Sequence, residues 1–280
     1  MRPDDQRPPK VPRSALADTL LDRLTTTYGA AADPVQARVM AAYMKDVAPF
    51  LGIRTPLRRE LSKAVTAQTP EPAEADVAAL VLRCWELRER EYHYFAVDYL
   101  RRHVRVCSPG FLPVVRQLIV TVPWWDTVDH LAAHAAGPLV AAGPELTAVM
   151  DEWIADEDLW LARTALLHQL RYKAATDTER LFGYCRRQCG HPDSVRILGV
   201  FGRSDNAARR RSRRRAPAGD CGTALRSAVI RSTRPERSGR IRGMSRYAFP
   251  AAPSAVADAP KAAAFLFEAT TFAAFDGARS

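Results

Sequence analysis

The chain has 280 residues, 47% of them hydrophobic, enough for one large domain or two small ones with a sizeable core. Its formal net charge of +10 suggests nucleic acid, but residues 1–193 carry 24 Lys+Arg against 25 Asp+Glu, whereas residues 194–246 carry 15 Arg against 3 acids and residues 247–280 carry 2 bases against 3 acids. The basic excess therefore sits in one segment, bulk charge is no argument that the rest binds DNA, and any footprint there must be a local patch.

The opening segment, MRPDDQRPPKVPRS, has acids, four prolines and no apolar stretch. It reads as a disordered lead (1–13) rather than a signal peptide. Five cysteines, an odd number, do not make a disulfide framework, and the expected setting is a reducing cytoplasm, in association with the nucleoid. Apolar runs are too short and too charged to span a membrane, and no membrane partner is expected.

From Ser14 to about Gly190 apolar residues recur at three- and four-residue spacing, as in Val77, Leu80, Val81, Cys84 and Trp85. The pattern predicts helices near 14–28, 34–46, 56–68, 72–87, 89–105, 109–121, 127–141, 144–154, 157–173 and 177–189. Asp33-Pro34, Thr55-Pro56, Ser108-Pro109 and Gly143-Pro144 each place a capping-type residue before a proline at the first helical position. Pro72 opens another helix in the same way, and Asp126 and Asp177 read as further N-caps. Ten similar helices in a row predict an all-α, HEAT-like superhelix, an α-solenoid of stacked hairpins; a compact bundle is the alternative.

After Asp193 the chain turns rich in Arg, Ser, Ala and Gly, and residues 194–280 are expected to be largely disordered. A DNA-holding basic arm and a solvated linker are two readings. We favour a third, the product of a shifted reading frame: 36 Arg against 5 Lys, with abundant Ala, suit GC-rich coding DNA, whose out-of-frame translation gives this composition.

Four strings stand out within 14–193. In YMKDVAPFLGIRTP (43–56) a helix ends, an apolar loop follows and a new helix starts at Thr55. Backbone N–H groups at that start suit a phosphate, while Phe50, Leu51 and Ile53 equally suit the plug of a hairpin. In WELREREYHYFAVDYL (85–100) the aromatics fall at helical spacing and read as core, with His93 an ordinary helix residue. In PWWDTVDH (123–130) Asp126 suits the N-cap and Asp129 follows on the first turn, its side chain pointing outward beside Trp125. An exposed tryptophan beside a carboxylate suits a flat cation; the other reading has both aspartates stabilising a helix N-terminus and the tryptophans in the core. In LWLARTALLHQLRYK (159–173) Arg163 and Arg171 fall near one helical face, with Lys173 close by. They form either a phosphate-contacting ridge or a solvated face. Cys185, Cys189 and His191 only loosely resemble a metal site, and no metal is expected.

Taken in order, YMKDVAPFLGIRTP, EREYHYFAVDYL, WWDTVD and LWLARTALLHQLRYKAATDTERLF resemble the AlkD-type family of DNA alkylation repair enzymes over 14–193. The resemblance implies a HEAT-like superhelix acting as a monomer on duplex DNA, a monofunctional glycosylase removing N3- and N7-alkylated purines such as 7-methylguanine and 3-methyladenine, with no cofactor. By motif position it implies Asp129 as the catalytic carboxylate, Trp125 as an aromatic wall and Arg163 as a contact to the DNA backbone. Tyr43, Thr55, Arg171 and Lys173 follow as supporting DNA contacts, and Trp124 as packing. Family members continue past the D-T-x-R-L-F segment with helices that bring a second wall tryptophan. Here the last tryptophan is Trp160, so the domain reads as C-terminally incomplete. A catalytically impaired helical-repeat module binding DNA or protein is the competing expectation.

Overall fold

The computed structural model describes residues 12–189, and every regular element among them is helical. The expectations for 1–11 and 190–280, including a metal role for His191, lie outside the described residues. The chain divides into two compact units, with the boundary after His168. The first holds α1 (Ala15–Ala30), α2 (Pro34–Tyr43), α3 (Thr55–Val65), α4 (Glu74–Glu86), α5 (Arg90–His103), α6 (Leu112–Val120), α7 (Trp125–Leu131), α8 (Gly137–Ala142), α9 (Thr147–Trp153) and α10 (Leu159–Leu167). The second contains a 3₁₀ turn, Lys173–Ala175, and α11 (Thr178–Cys189).

Within the first unit each helical pair packs on the next, the α-solenoid pattern. α1 lies against α3 and α4, α4 against α5 and α6, α5 against α7, and α10 against α6, α7 and α9. Leu20, Leu24, Leu80, Phe95, Leu100, Leu118, Ile119 and Leu131 fill its core. Tyr28 sits at one centre, stacked on Tyr92 at 5.9 Å and edge-on to Phe95 at 6.3 Å, with its hydroxyl 2.7 Å from Ser62 Oγ. The aromatics of the second string are core, as their spacing predicts. α2 is the exception in the stack: it buries no residue, and Val35 and Val39 are exposed.

Helix starts follow the predicted chemistry where a side chain is free to cap. Asp33 accepts from Val35 and Gln36 and Asp177 from Arg180, as predicted, and Ser14, which the spacing placed inside the first helix, caps it by accepting from Ala17 N–H. Elsewhere the predicted caps shift. Thr55 is already helical and Arg54 precedes the helix without a side-chain cap, because proline is tolerated anywhere in a first turn that needs no N–H. α4 begins two residues after Pro72, where Asp76 turns back to accept the Ala73 N–H at 2.9 Å. Ser108 and Gly143 lead into short 3₁₀ turns before α6 and α9.

The predicted 127–141 helix is broken. α7 passes into a π-helical segment, Ala132–Ala136, before α8. Pro138 has no N–H for the regular ladder, and at Gly137 a Cβ would fall 2.3 Å from the His168 carbonyl oxygen, so only glycine permits this approach to the end of α10. The predicted 157–173 helix likewise ends at Leu167. No helix among the described residues is long and apolar enough to cross a membrane.

Candidate functional site

The first turn of α7 is assembled by α5. Val122 enters at φ +48, in the left-handed region that a β-branched residue rarely occupies, and Trp124 precedes the helix without a side-chain cap. Arg90, 0% exposed, reaches across from α5. Its Nη1 donates to the Val122 carbonyl at 2.8 Å. Nε and Nη2 grip Asp126 at 3.0 and 2.6 Å, and Nη2 also donates to Thr127 Oγ1 at 3.0 Å. The Tyr94 hydroxyl donates to Asp126 at 2.6 Å, and the Thr127 N–H at 2.9 Å.

Asp126 is therefore not the predicted N-cap. It stands at the second helical position, and its oxygens are drawn to α5 by stronger, charge-assisted donors. Burial and then the neighbouring Asp126 carboxylate push the Tyr94 phenol well above its usual range, so it remains a donor. Burial, followed by the Arg90 charge, lowers His93 to about 4. Neutral His93 lies 3.2 Å from Arg90 and stacks on Trp85, a structural role consistent with its reading as an ordinary helix residue.

One turn on, Asp129 does not point outward. It is 7% exposed, and Arg163 of α10 (3% exposed) holds both its oxygens, Nε to Oδ1 at 2.6 Å and Nη2 to Oδ2 at 2.7 Å. The packing of α10 on α7 carries the guanidinium over the carboxylate. Among the described residues Asp129 takes these two donor atoms, against four separate donors on Asp126. Trp125, four residues before Asp129, is half-buried. Trp124 packs against Trp160 at 5.8 Å, consistent with the packing role expected of it. His130 is also half-buried and stacks on His134 at 5.8 Å; burial lowers its pKa, with Asp129 and Asp98 opposing.

The same device recurs one step earlier in the stack. Arg58 of α3 pairs with Asp98 of α5 at 2.9 Å and lies 5.2 Å from the centre of the Tyr94 ring. Arg58–Asp98, Arg90–Asp126 and Arg163–Asp129 thus join α3 to α5, α5 to α7, and α7 to α10.

The remaining predicted residues fall elsewhere. Tyr43 ends α2 and is 46% exposed, and half-buried Thr55 opens α3; they flank the 44–54 loop. Arg171 and Lys173 are exposed and belong to the second unit. The predicted ridge joining Arg163 to Arg171 does not form, because Arg163 is buried and the α-helical register ends at Leu167.

Phe50 and Ile53 do plug the hairpin, and the loop around them holds an anion partner that sequence reasoning missed. The Leu51, Gly52 and Ile53 N–H groups donate to the Glu91 carboxylate at 2.9, 2.8 and 3.1 Å. Gly52 is at φ +89, where a Cβ would meet the Asp33 carbonyl oxygen at 2.2 Å. Burial raises the Glu91 pKa and these backbone donors oppose it. The loop amides before Thr55 therefore already serve a protein carboxylate. A clue lay in the sequence: an acid inside the aromatic run of α5, next to residues that must be core.

Among the described residues no group of three or more His, Cys, Asp or Glu is arranged to hold a metal ion. The arrangement can instead present a carboxylate and an aromatic face on one short, firmly anchored helix.

No curated protein matches the sequence. A solved structure described as a predicted DNA alkylation repair enzyme from Enterococcus faecalis is similar at 26% identity and a TM-score of 0.53, over 57% of this chain and 76% of that one. The family model described as DNA alkylation repair enzyme matches residues 24–196, a span that includes the α7 carboxylates, their arginine partners and the helical stack that holds them. With more than half its length matched, the chain belongs to the DNA alkylation repair enzyme family.

Proposed function

We propose that the chain is a DNA glycosylase of the AlkD type that excises cationic N3- and N7-alkylated purines from duplex DNA. One observation carries this reading: on α7 the Asp129 carboxylate, gripped by Arg163, follows half-buried Trp125 by about one helical turn. Asp126 is saturated by Arg90, Tyr94 and the Thr127 amide, so Asp129 is the carboxylate available for chemistry.

Alkylation leaves the purine positively charged. When the bond from the sugar C1′ to the base breaks, its electron pair goes to the base, which departs neutral. The sugar becomes oxocarbenium-like, and water adds at C1′ with loss of a proton. A fixed carboxylate stabilises that developing charge or orients the water. Trp125 offers an aromatic face to the flat cation. Arg163, which is 3% exposed, holds the Asp129 carboxylate in place, and a contact from it to the DNA backbone beside the lesion is proposed from its motif position alone. Tyr43, Thr55, Arg171 and Lys173 are the proposed supporting contacts to the DNA backbone.

The test is release of free 7-methylguanine from alkylated duplex by the purified full chain. Wild type should release the base, and Asp129→Asn should slow release on the order of a hundredfold, the scale of losing one preorganised electrostatic group. A folded wild type that releases nothing overturns the reading. A second reading has one observation in its favour: no tryptophan follows Trp160, so the second aromatic wall that the resemblance implies is missing from the sequence. On that reading the protein binds DNA without excision, with equal affinity for alkylated and unmodified duplex.

A further inference from the structure

The segment that carries Trp125 and Asp129 has little local support. α7 is seven residues long, Trp124 offers no side-chain cap, the entry at Val122 is left-handed, and the exit is a π-helical segment. A helix this short does not hold its own register, since its first turn leaves its N–H groups without partners and its geometry depends on what is packed against it.

That support comes from three residues that the excision chemistry does not use. Arg90 is fully buried and binds at three points along the entry: the Val122 carbonyl, the Asp126 carboxylate and the Thr127 hydroxyl. Tyr94 adds a hydroxyl to Asp126 and is itself fixed, with the Arg58 guanidinium over its ring and Phe50 6.3 Å away. Asp126 adjoins Trp125 in the chain, so its position sets where the indole begins.

We propose that Arg90, Tyr94 and Asp126 form a positioning anchor for the excision site, fixing the rotation of α7 so that Trp125 and Asp129 face the same nucleotide. This rests on the glycosylase reading for the reaction it serves. None of the three is a catalytic residue. Asp126 is spent on four donors, and Arg90 has no exposed surface with which to meet DNA. They act through Trp125 and Asp129, by holding a geometry in which small displacements are costly to rate.

The test uses the full chain labelled with 5-fluorotryptophan, with the Trp125 resonance assigned by Trp125→Phe. Asp126→Asn strips Arg90 of its charge partner and endangers the fold, so Tyr94→Phe is the main variant; it removes one oxygen and keeps the ring between Arg58 and Phe50. The ¹⁹F resonance of Trp125 should move or broaden while that of Trp153, buried on α9, stays in place. Single-turnover base release at saturating DNA should fall about tenfold, inside the hundredfold that a misplacement near 1 Å can cost. Duplex affinity should stay within about twofold, because no phosphate contact is lost.

An unmoved Trp125 resonance overturns the proposal, even where release slows. A moved resonance with release at the wild-type rate overturns it too, since the geometry would then not matter to the chemistry. If wild type releases no base but Tyr94→Phe still displaces Trp125 selectively, the anchor is supported and it is the glycosylase reading that falls.

Discussion

Asp126 and Asp129 stand three residues apart on α7, and each meets an arginine from a neighbouring helix through both carboxylate oxygens. At Asp126 the guanidinium is completely buried, and a phenol, a backbone amide and a threonine hydroxyl complete the cluster. At Asp129 the arginine stands alone among the described partners, beside a half-buried tryptophan. On the proposed glycosylase reading, one short helix separates two duties. A carboxylate whose lone pairs are all engaged fixes structure, and one with fewer donors is left able to respond to a developing positive charge.

The largest effect should come from removing either partner of the saturated end. Asp126→Ala leaves a buried guanidinium without its counter-charge, a change that costs about 3–5 kcal/mol of stability. Asp129→Ala likewise strands the buried Arg163 guanidinium, so in urea denaturation Asp126→Ala should fall below it only by the further loss of the Tyr94 and Thr127 bonds, about 1–3 kcal/mol; an equal or larger loss at Asp129 would erase the distinction between the two carboxylates.

Acid should weaken the same end first. His93 contacts Arg90, and its pKa is lowered to about 4 from an ordinary 6.5, by burial and then by the Arg90 charge. The folded state thus disfavours the protonated ring. The corresponding stability is fully present above pH 6.5 and is lost as pH falls from there through 4, by at most about 3 kcal/mol for a shift of this size. His93→Gln should flatten this part of the stability profile between pH 6.5 and 4. An unchanged slope would show that the ring is not held neutral.

The smallest effect concerns the turn that the anchor holds. Val122 is half-exposed at φ +48, where glycine carries no steric penalty. Relief of that strain in Val122→Gly should offset the added flexibility of the unfolded chain and raise stability by about 1 kcal/mol. A loss of stability would mean that the valine side chain contributes packing that outweighs its backbone cost.

Much of the helical stack was legible in the chain itself. Apolar spacing predicts the helices, and the predicted caps Asp33 and Asp177 mark real starts because a capping side chain acts only on amides two or three residues away. The predictions failed where distant groups compete for the same atoms. Asp126 had the right residue type for a cap, but Arg90 and Tyr94 bind it more strongly. Arg163 and Arg171 had the spacing of a surface ridge, but the helix ends between them and Arg163 turns inward to Asp129. Glu91 looked like one more charge on an amphipathic helix until the 51–53 amides closed on it.

The sequence by itself determined the all-helical character of the described residues, the approximate limits of most of their helices, the concentration of basic charge after residue 193, and a string of motifs resembling those of DNA alkylation repair enzymes. Each of these is a matter of near neighbours or composition, since helical hydrogen bonds and caps span four residues or fewer. Tertiary structure alone decided which carboxylate is saturated and which is not. The arginines that make the difference lie 36 and 34 residues from their aspartates, and only the packing of α5 and α10 against α7 brings them together.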